Sequence, residues 1–177
     1  QIVTKLAKGA EETRRESQRI AEAEVKKNMD VLNKAKANFI FSDLTVSDKT
    51  TKLMWTRDAN IAGKAIEWGA TFEFVKQLNE KKHAGYNDWR LPTKKQLLTL
   101  VDFAKINGRK KELNKFFSEI GFENVAKDYD WYLSSTDDIE NHIWALHMTF
   151  GIMQSFGKFN AGNVWPVRSV KKDDASK

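Results

Sequence analysis

The sequence has no cysteine among its 177 residues, and this absence excludes several kinds of site. Disulfides, zinc–thiolate sites, iron–sulfur clusters and catalytic thiols all require the cysteine sulfur. The absence leaves the cellular compartment open, because a secreted domain with a large enough core folds without disulfides. The function of this chain therefore does not depend on a thiol.

Aromatic residues are missing from residues 1–38, although they make up 11% of the chain. All 6 Trp, 11 Phe and 3 Tyr lie between Phe39 and Trp165. Aromatic side chains supply much of the apolar area that a core buries, so the start of the chain is excluded from that core. We predict a helical leader over 1–37, one domain over 38–170 and a disordered charged tail over 171–177.

Long apolar runs are also missing from the sequence. A membrane-spanning helix needs roughly 20 consecutive, predominantly apolar residues, and no stretch here approaches that length. We therefore expect membrane contact only through an anchor outside this sequence. The sequence begins with Gln1 rather than Met, which leaves two explanations open: a signal or anchor segment was removed, or the sequence is a piece excised from a longer chain.

Charge of one sign is in modest excess only. The chain has 30 Lys and Arg against 24 Asp and Glu, a formal net charge of +6. A basic balance favours anionic partners such as sulfated glycans, nucleic acid or a membrane surface. However, the two signs alternate along most of the chain, and only short clusters such as residues 109–111 stand out. Because no nucleic-acid-binding motif accompanies the charge, we expect no nucleic-acid partner.

Residues 1–36 predict one long helix. They are rich in Ala, Glu, Lys, Arg and Gln, contain no proline and have a single glycine, Gly9. Their apolar positions follow a heptad spacing only imperfectly, so two interpretations stay open. In the first, the helix belongs to a coiled coil or stalk, which forms a homo-oligomer or docks on a larger assembly. In the second, it is a solvated helix that contacts the domain. The second interpretation uses the apolar side chains of Ile20, Val25, Met29 and Leu32.

The domain opens with a predicted β-hairpin over 38–56, in which apolar residues flank a polar turn over 47–51. An amphipathic helix is predicted over 61–80, and a turn over 85–88 ends it. The helix is indicated by apolar residues three or four apart, which are Ala65, Trp68, Phe72, Val75 and Leu78.

Two further helices are predicted after this turn. Thr93 precedes Gln96 by the spacing of a capping box, so a helix begins after Thr93. Asn107 and Gly108 should end that helix, because both residues favour turn conformations. A shorter helix is expected over 110–120.

The hydrophobic period changes to two from Tyr129 onward. Over 144–150 the even positions are large and apolar and the odd positions are small or polar, which predicts a half-buried strand. A second strand should follow Gly151, and a third should cover 164–170. Helices between antiparallel strands indicate an α+β fold whose terminal strands meet in one sheet.

Four short sequence motifs, which we call phrases, occur together in a characteristic order. They are Leu-Met-Trp at 53–55, Ala-Gly-Tyr-Asn-Asp-Trp-Arg-Leu-Pro-Thr at 84–93, Trp-Tyr-Leu-Ser-Ser-Thr at 131–136 and Val-Arg-Ser-Val at 167–170. With these phrases, residues 39–170 resemble the Lcl C-terminal-like domain, a bacterial family named for a collagen-like surface adhesin. Two departures are visible: relatives commonly carry cysteines in the first helix and the last strand, and their third phrase is more often Tyr-Trp-Ser-Ser-Thr.

The resemblance implies a C-type-lectin-like mixed domain with an antiparallel sheet and two main helices, here preceded by the long N-terminal helix. Members are similar to secreted or surface-displayed modules, which implies an extracytoplasmic location, periplasmic or at the cell surface. The implied function is non-enzymatic recognition or adhesion toward a glycan or protein ligand. The alternative is a structural or assembly component that oligomerises or docks through its N-terminal helix.

A ligand-binding surface is predicted near the end of the domain. Residues 153–163 mix aromatics, amides and one cation. Rings stack on a sugar face while amides and lysine donate hydrogen bonds, so this mixture suits a carbohydrate or a polar protein epitope. The same segment also fits a hairpin whose Phe156 and Phe159 join the core. The predicted ligand-binding residues are His142, His147, Gln154, Lys158, Asn160 and Asn163.

No catalytic residue, metal ligand or cofactor is predicted. On one strand His142 and His147 would face opposite sides, which is poor geometry for a shared metal. A serine–histidine–aspartate set drawn from residues 134–142 lacks a nucleophile-elbow motif. The oxygen-rich residues 137–141 match neither an EF-hand loop nor the calcium tripeptides of lectins, so a solvated acidic turn is the default there. Calcium binding near Asp137 and Asp138 is left open.

Overall fold

The computed structural model describes residues 2–172 and 174 of the chain. It contains two units, one ending at Lys34 and one beginning at Ala35. The second unit is a mixture of helices and antiparallel sheets, so the predicted α+β class is confirmed. This order of elements is compatible with a C-type-lectin-like arrangement.

Helix α1 covers Ile2–Lys36 and confirms the long N-terminal helix. Residues of high helical propensity build it, and pairs one turn apart such as Arg15 and Glu11, 2.5 Å from each other, support its surface. Among the described residues, no helix combines the length and the apolar character needed to cross a bilayer. The apolar side chains that α1 exposes are those of Leu6, Ile20, Val25 and Met29.

The first and last strands of the domain lie in one antiparallel sheet, as predicted. Its strands, in spatial order, are β1 (Phe39–Phe41), β2 (Thr45–Asp48), β3 (Leu53–Thr56) and β9 (Val167–Ser169). The carboxylate of Asp48 closes the turn between β2 and β3 by accepting hydrogen bonds from the N–H groups of Thr50 and Thr51, at 2.8 and 3.1 Å. The predicted hairpin is therefore confirmed.

Helix α2 is shorter than the predicted helix over 61–80, because it covers Trp68–Glu80. The chain before it turns at Gly63, which has a φ of +70° that a helix does not accommodate. It then forms strand β4 (Ile66–Glu67), which pairs with strand β8 (Ala161–Gly162). The backbone N–H and C=O groups of β4 that pair with β8 are therefore not available for the hydrogen bonds of a longer helix.

The capping box at Thr93 is confirmed at the start of helix α3, Lys94–Ile106. The hydroxyl of Thr93 accepts the N–H of Gln96 at 3.2 Å, and the Gln96 side chain accepts the N–H of Thr93 at 3.0 Å. Helix α4 covers Leu113–Ile120 and starts later than predicted, because Glu112 has a φ of +55°. A residue in this left-handed conformation interrupts any helix that precedes it.

A second antiparallel sheet follows, with strands β5 (Trp131–Asp137), β6 (His142–His147) and β7 (Ile152–Gly157). Strand β6 ends earlier than the strand predicted over 144–150. The chain turns after His147, where Gly151 has a φ of +62° and donates its N–H to the His147 carbonyl at 2.9 Å. Phe150 therefore lies in a turn rather than in a strand.

Burial along β6 also differs from the predicted alternation. Ile143 and Ala145 are buried on one face, and Leu146 is buried on the other, whereas Trp144 is only half-buried. Helix α3 packs against β6, and a hydrophobic cluster with Leu133 covers the face of Ile143. Because both faces of the strand are covered, a two-residue period does not separate inside from outside.

Trp55 and Trp165 form the centre of the domain core, and both are fully buried. Their ring centroids lie 5.3 Å apart, and the ring of Phe122 lies 5.1 Å from Trp165. The indole N–H of Trp165 donates to the Thr56 carbonyl at 2.9 Å. The aromatic richness of residues 39–165 therefore belongs mainly to the core.

The tail predicted to be disordered over 171–177 is described at residues 171, 172 and 174. Residues 173 and 175–177 lie outside the described residues, so the prediction is untested there. Where the tail is described, Asp174 accepts a hydrogen bond from Arg168 at 2.7 Å.

Candidate functional site

The phrases at 84–93 and 167–170 meet at Arg168. Its guanidinium is buried, donates Nε–H to Asp88 at 2.6 Å and Nη1–H to Asp174 at 2.7 Å, and lies 3.9 Å from the ring centroid of Tyr86. The hydrogen bond from Arg168 lowers the pKa of Asp88 to about 2. These residues therefore form an internal ion-pair network that ties β9 to the loop before α3.

The backbone of Trp89 is held by Asn79, a residue of α2 that no motif marks. The Asn79 amide donates to the Trp89 carbonyl at 2.9 Å and accepts the Trp89 N–H at 2.8 Å. Arg90 donates to the Gln96 side chain at 2.7 Å. Polar side chains in and around this phrase thus supply hydrogen bonds that hold the loop before α3.

The phrase at 131–136 is also engaged within the fold. The Ser134 hydroxyl is buried and donates to the Trp144 carbonyl at 2.6 Å. Ser135 donates its N–H to the Pro92 carbonyl at 2.8 Å, and the Thr136 hydroxyl accepts the N–H of Lys94 at 2.9 Å. These bonds join β5 to the start of α3, so the hydroxyl groups have structural partners.

One end of the three-stranded sheet carries an aromatic shelf, which we define as Trp131, His147, Phe150, Ile152 and Gln154. Trp131 lies opposite His147 and His147 opposite Ile152 in the strand register, so the three side chains share one face. The ring centroids of Trp131 and His147 are 4.5 Å apart, and those of His147 and Phe150 are 4.8 Å apart. Phe150 is 56% exposed and Ile152 is 41% exposed. Gln154 is also exposed, and it faces the same way as Ile152 because it is two residues away on β7.

His147 lies next to a buried carboxylate. Its side chain is 21% exposed, while that of Asp130 is 3% exposed. The two atoms His147 Nδ1 and Asp130 Oδ1 lie 3.1 Å apart without hydrogen-bond alignment, and Asp130 Oδ2 accepts the N–H of Thr149 at 2.6 Å. Nδ1 of His147 therefore faces the interior of the domain, on the side of Asp130.

His142 and Asn160 meet at the other end of the sheet, next to Gly157. A Cβ atom at Gly157 would lie 3.1 Å from Asn160 Nδ2 and 4.0 Å from His142 Nε2. His142 is in the same strand as His147 but faces the opposite side of the sheet, as predicted from their spacing. The predicted site residues therefore fall into separate groups.

Lys158 lies near this end and is already paired. Its ammonium is 2.5 Å from Asp137 Oδ1 and 4.5 Å from the ring centroid of Trp68. The side chain of Lys158 is three-quarters buried, since 25% of it is exposed. A ligand that bound this ammonium would compete with both contacts.

Asn163 is buried, and its side chain is committed to the fold. The amide donates to the carbonyls of Tyr129 and Trp131, at 2.5 and 3.2 Å. The backbone of Asn163 bonds to Trp131 and Leu133 as well. The structure thus places this predicted ligand-binding residue in the interior, where it holds β5 in position.

No catalytic set is assembled from the serine, histidine and aspartate that the sequence brings close together. The hydroxyl of Ser134 bonds to Trp144, the carboxylate of Asp137 pairs with Lys158, and His142 Nδ1 lies 3.0 Å from the Glu140 carbonyl. Within the part of the chain that the structure describes, no three His, Cys, Asp or Glu residues are grouped as metal ligands.

His83 is less exposed than its polar sequence neighbourhood indicates. Its ring lies 5.8 Å from that of Trp89, whose indole N–H donates to the His83 carbonyl at 3.0 Å. Burial lowers the pKa of His83. This histidine therefore supports the loop of the second phrase.

A second concave surface lies beside the first sheet, as a groove of about 780 Å³. Its lining is largely apolar and includes Leu44, Met54 and Val170, together with Lys171 and Lys172. None of the predicted ligand-binding residues lines this groove. It is therefore distinct from the shelf.

Of the predicted ligand-binding residues, His147 and Gln154 lie in the shelf, whereas its other members, Trp131, Phe150 and Ile152, were not predicted, nor was the neighbouring Asp130. The glycine after Phe150 was a usable signal, because Gly151 at a turn places the preceding apolar side chain outside the strand pattern. The contact between Asp130 and His147 had no such signal, since it joins the residue before β5 to the last residue of β6.

Comparison with known proteins identifies the family. No curated protein matches the chain. The Lcl C-terminal domain matches residues 44–168, which begin just before β2 and end in β9 at Arg168. The four phrases lie within this range or overlap its end, and the structure shows them interlocked around the core. This chain belongs to the Lcl C-terminal domain family.

Proposed function

We propose that the chain is a non-enzymatic recognition or adhesion module that binds a glycan or protein ligand through the aromatic shelf. The exposure of Phe150 and Ile152 beside Trp131 and His147 carries this proposal. Apolar side chains grouped at a surface are costly in water, and such groups mark interaction sites in soluble proteins. Phe150 and Ile152 are 56% and 41% exposed, whereas Trp55 and Trp165 at the centre of the core are fully buried.

The proposal of a non-enzymatic role is supported by the partners of the reactive groups. Ser134, Asp137 and Asp130 each have a contact that positions the fold or another side chain. General acid–base or nucleophilic chemistry needs groups that converge on one reacting atom. We accordingly propose neither a cofactor nor a metal for this domain.

We further propose that the domain works outside the cytoplasm, in the periplasm or at the cell surface, with no nucleic-acid partner. Membership of the Lcl C-terminal domain family supports this location. Membrane attachment would then depend on an anchor beyond this sequence. Protease added to intact bacterial cells that produce the protein, with and without outer-membrane permeabilisation, tests the location by the cleavage of the domain.

The alternative function is assembly through α1. This helix exposes apolar side chains along its length, at Leu6, Ile20, Val25 and Met29, which favours pairing with another helix. Recognition and assembly are compatible with each other, because the shelf and α1 belong to different units of the chain.

Binding to an array that carries glycans and extracellular proteins tests the proposed function. The full chain is compared with the double variant Phe150→Ser/Ile152→Ser. The control is Ile40→Ser/Ile106→Ser, which removes apolar side chains that are 59% and 84% exposed outside the shelf. We expect the array signals to fall about tenfold in the shelf variant and to persist in the control. Signals that persist in the shelf variant would contradict the proposal.

A further inference from the structure

Strand β7 forms one edge of the three-stranded sheet. It pairs with β6 on one side, and no other strand among the described residues pairs with its outer side. We propose that an extended acidic segment of a partner protein binds there as a fourth strand, with apolar side chains against the shelf and carboxylates near the lysines that precede α4. This inference rests on the proposed function, because it names the ligand class of the surface that includes the shelf.

Every second residue of β7 directs its backbone N–H and C=O groups away from β6. The N–H of Lys158 donates to the Asn141 carbonyl at 2.9 Å, so the hydrogen-bonded pairs of the register alternate from that point. The outward-facing residues are therefore Met153, Ser155 and Gly157. The Gly157 carbonyl is used in the turn that follows β7, whereas the outward groups of Met153 and Ser155 have no backbone partner among the described residues.

The outer edge of β7 lacks the features that keep a free strand edge from pairing. Natural edge strands are short, or they carry lysine, proline or a bulge. Strand β7 (Ile152–Gly157) contains no charged residue and no proline, and its pairs with β6 follow one continuous register. Such an edge is a template for an extended peptide, which gains main-chain hydrogen bonds from it.

The shelf offers contacts for apolar side chains at the start of β7. Ile152 is the first residue of the strand and is 41% exposed, and Phe150 just before it is 56% exposed. Side chains of an added strand alternate between the two faces of the sheet, so every second one lies on the face of Ile152. Apolar side chains of a polypeptide would bury area against these two residues.

A lysine-rich segment lies against the turn that carries Phe150. The N–H of Glu112 donates to the carbonyl of Thr149, which joins this segment to the turn between β6 and β7. Lys111 and Phe150 are the direct sequence neighbours of these two residues, so their Cα atoms lie within about 8 Å of each other. A ligand in contact with the shelf is therefore within reach of lysine side chains.

Positive charge is concentrated in this segment. Residues 105–115 contain five Lys or Arg and one acidic residue, Glu112. The side chains of Lys110, Lys111 and Lys115 are exposed, and they form no ion pair within the described part of the chain. These ammonium groups favour a ligand that carries carboxylates.

The charges here are mixed, which favours a polypeptide over a uniformly anionic ligand. Lys111 and Lys115 line a small cleft together with the carboxylates of Glu112 and Glu119. A sulfated glycan or an acidic bilayer presents negative charge throughout and would meet these carboxylates as well. A polypeptide places its charges singly and combines them with apolar side chains, so it fits both the cleft and the shelf.

NMR titration of the full chain with three octapeptides tests this inference. Glutamate alternates with valine in the acidic peptide, and glutamine or lysine replaces glutamate in the neutral and basic peptides. A generic peptide is a sufficient probe, because main-chain pairing does not depend on one sequence. We expect the acidic peptide to bind at millimolar or lower concentration, about tenfold more tightly than the neutral one, and the basic peptide to bind most weakly.

The backbone amides of β7 report directly on an added strand. At saturation with the acidic peptide, the N–H groups of Met153 and Ser155 should shift and gain protection from hydrogen exchange. The N–H of Gln154 faces β6 and should keep the protection that it has in the free chain. This readout needs no variant and decides the case even if a substitution in β7 prevents folding.

Two variants with matched controls separate the edge from the charge. Ser155→Pro removes an outward N–H without removing a bond to β6, so it should weaken binding at least about tenfold, whereas Ser155→Ala keeps the N–H and should bind like the wild type. Lys110→Gln/Lys111→Gln should weaken binding of the acidic peptide about 5- to 10-fold. Lys26→Gln/Lys27→Gln, an equal change of charge at exposed positions of α1, should leave it unchanged.

A heparin hexasaccharide and vesicles that contain phosphatidylglycerol are titrated in parallel. Binding of either one without binding of the acidic peptide would overturn the inference and indicate a different ligand class. No binding of the acidic peptide, equal binding of all three peptides, or binding that leaves the amides of Met153 and Ser155 unprotected would overturn it as well. A dimer of the chain that Ser155→Pro dissociates would show that a second copy occupies the edge instead.

The outcomes also separate this inference from the proposed function. If the acidic peptide fails and the array shows a glycan whose binding is lost in Phe150→Ser/Ile152→Ser, the proposed function stands and only the ligand class is wrong. If no ligand depends on these residues, both fail.

Discussion

Arg168 is a buried guanidinium, and the fold keeps its charge by surrounding it with carboxylates. Asp88 and Asp174 accept its hydrogen bonds, and Lys171 lies 2.7 Å from Asp88. A buried charge without a partner is strongly destabilising, so the network stabilises the folded state only while these carboxylates are ionised. The phrases that identify the family therefore have an energetic role at single residues.

We predict that Asp88→Asn destabilises the domain at neutral pH. The pKa of Asp88 in the folded state is about 2, below the ordinary value of 3.8. A lowered carboxyl pKa stabilises the folded state above the ordinary value, and this contribution is lost as the pH falls toward 2. The expected loss of unfolding free energy is about 2 kcal/mol at pH 7.

Urea unfolding of the wild type and Asp88→Asn across the pH range from 7 to about 2 provides the measurement. The difference should shrink between pH 4 and pH 2. Asp102→Asn, at an exposed position of α3, is the control and should unfold like the wild type throughout. A difference for Asp88→Asn that stays constant with pH would show that the ion pair is not its cause.

Some residue-level features could be predicted from the sequence because their cause is local. The capping box needs only Thr93 and Gln96 at the right spacing, and the structure has it. The position of Asn163 was not predictable, because its amide bonds to carbonyls of residues far away in the sequence. The contact of Asp130 with His147 was not predictable for the same reason, because the two residues are 17 positions apart in the sequence.

Strand β8 lies against β5 at Gly162, where the structure leaves little room for a Cβ atom. A Cβ atom at Gly162 would lie 2.5 Å from Leu133 Cδ2 and 3.2 Å from the Trp131 carbonyl oxygen. The distance to Leu133 is shorter than real Cβ atoms show, so the buried Leu133 side chain or the backbone of the two strands would have to shift. Since Leu133 and Trp131 belong to the strand that carries part of the shelf, this contact also supports the shelf.

Gly162→Ala should therefore lower the unfolding free energy by about 1–3 kcal/mol, the usual cost of overpacking. Chemical denaturation measures the change. The matched control is Gly69→Ala in α2, where a Cβ meets nothing within 4 Å. That variant should be neutral or more stable by up to about 1 kcal/mol, because alanine favours helix. Equal effects of the two substitutions would contradict the contact.

The types of most elements could be predicted, but several boundaries could not. The apolar residues from Ala65 to Leu78 have helical spacing, but the first part of this stretch contains strand β4. It is a strand because its backbone pairs with β8. The alternation over 144–150 continues past the end of β6 because Met148 is buried in the turn. Tertiary contacts decide such boundaries, and a single sequence pattern contains no information on them.

At the scale of the whole molecule, α1 and the domain have different sources of stability. Every described side chain from residue 5 to residue 30 is exposed, whereas the unit from Ala35 onward has its own core. We predict that deleting residues 1–34 leaves the unfolding free energy of the domain unchanged. Unfolding curves of the two chains measure this, and a fragment that fails to fold would contradict it.

The same pair of chains tests assembly through α1. Light scattering gives the mass of each chain in solution. If the full chain has a mass that is a multiple of 20.4 kDa and the fragment is a monomer, the helix is responsible for assembly. A monomer in both cases would remove self-association and leave recognition by the domain.

The most direct test of recognition through the shelf is the indole N–H spectrum of the 6 tryptophans during titration with the strongest ligand from the array. The resonance of Trp131 is assigned with the variant Trp131→Phe, and the fully buried Trp55 and Trp165 serve as internal references. The account predicts that Trp131 shifts most and that the two references stay in place. A ligand that binds while Trp131 stays in place and Trp68 or Trp144 shifts instead would contradict it.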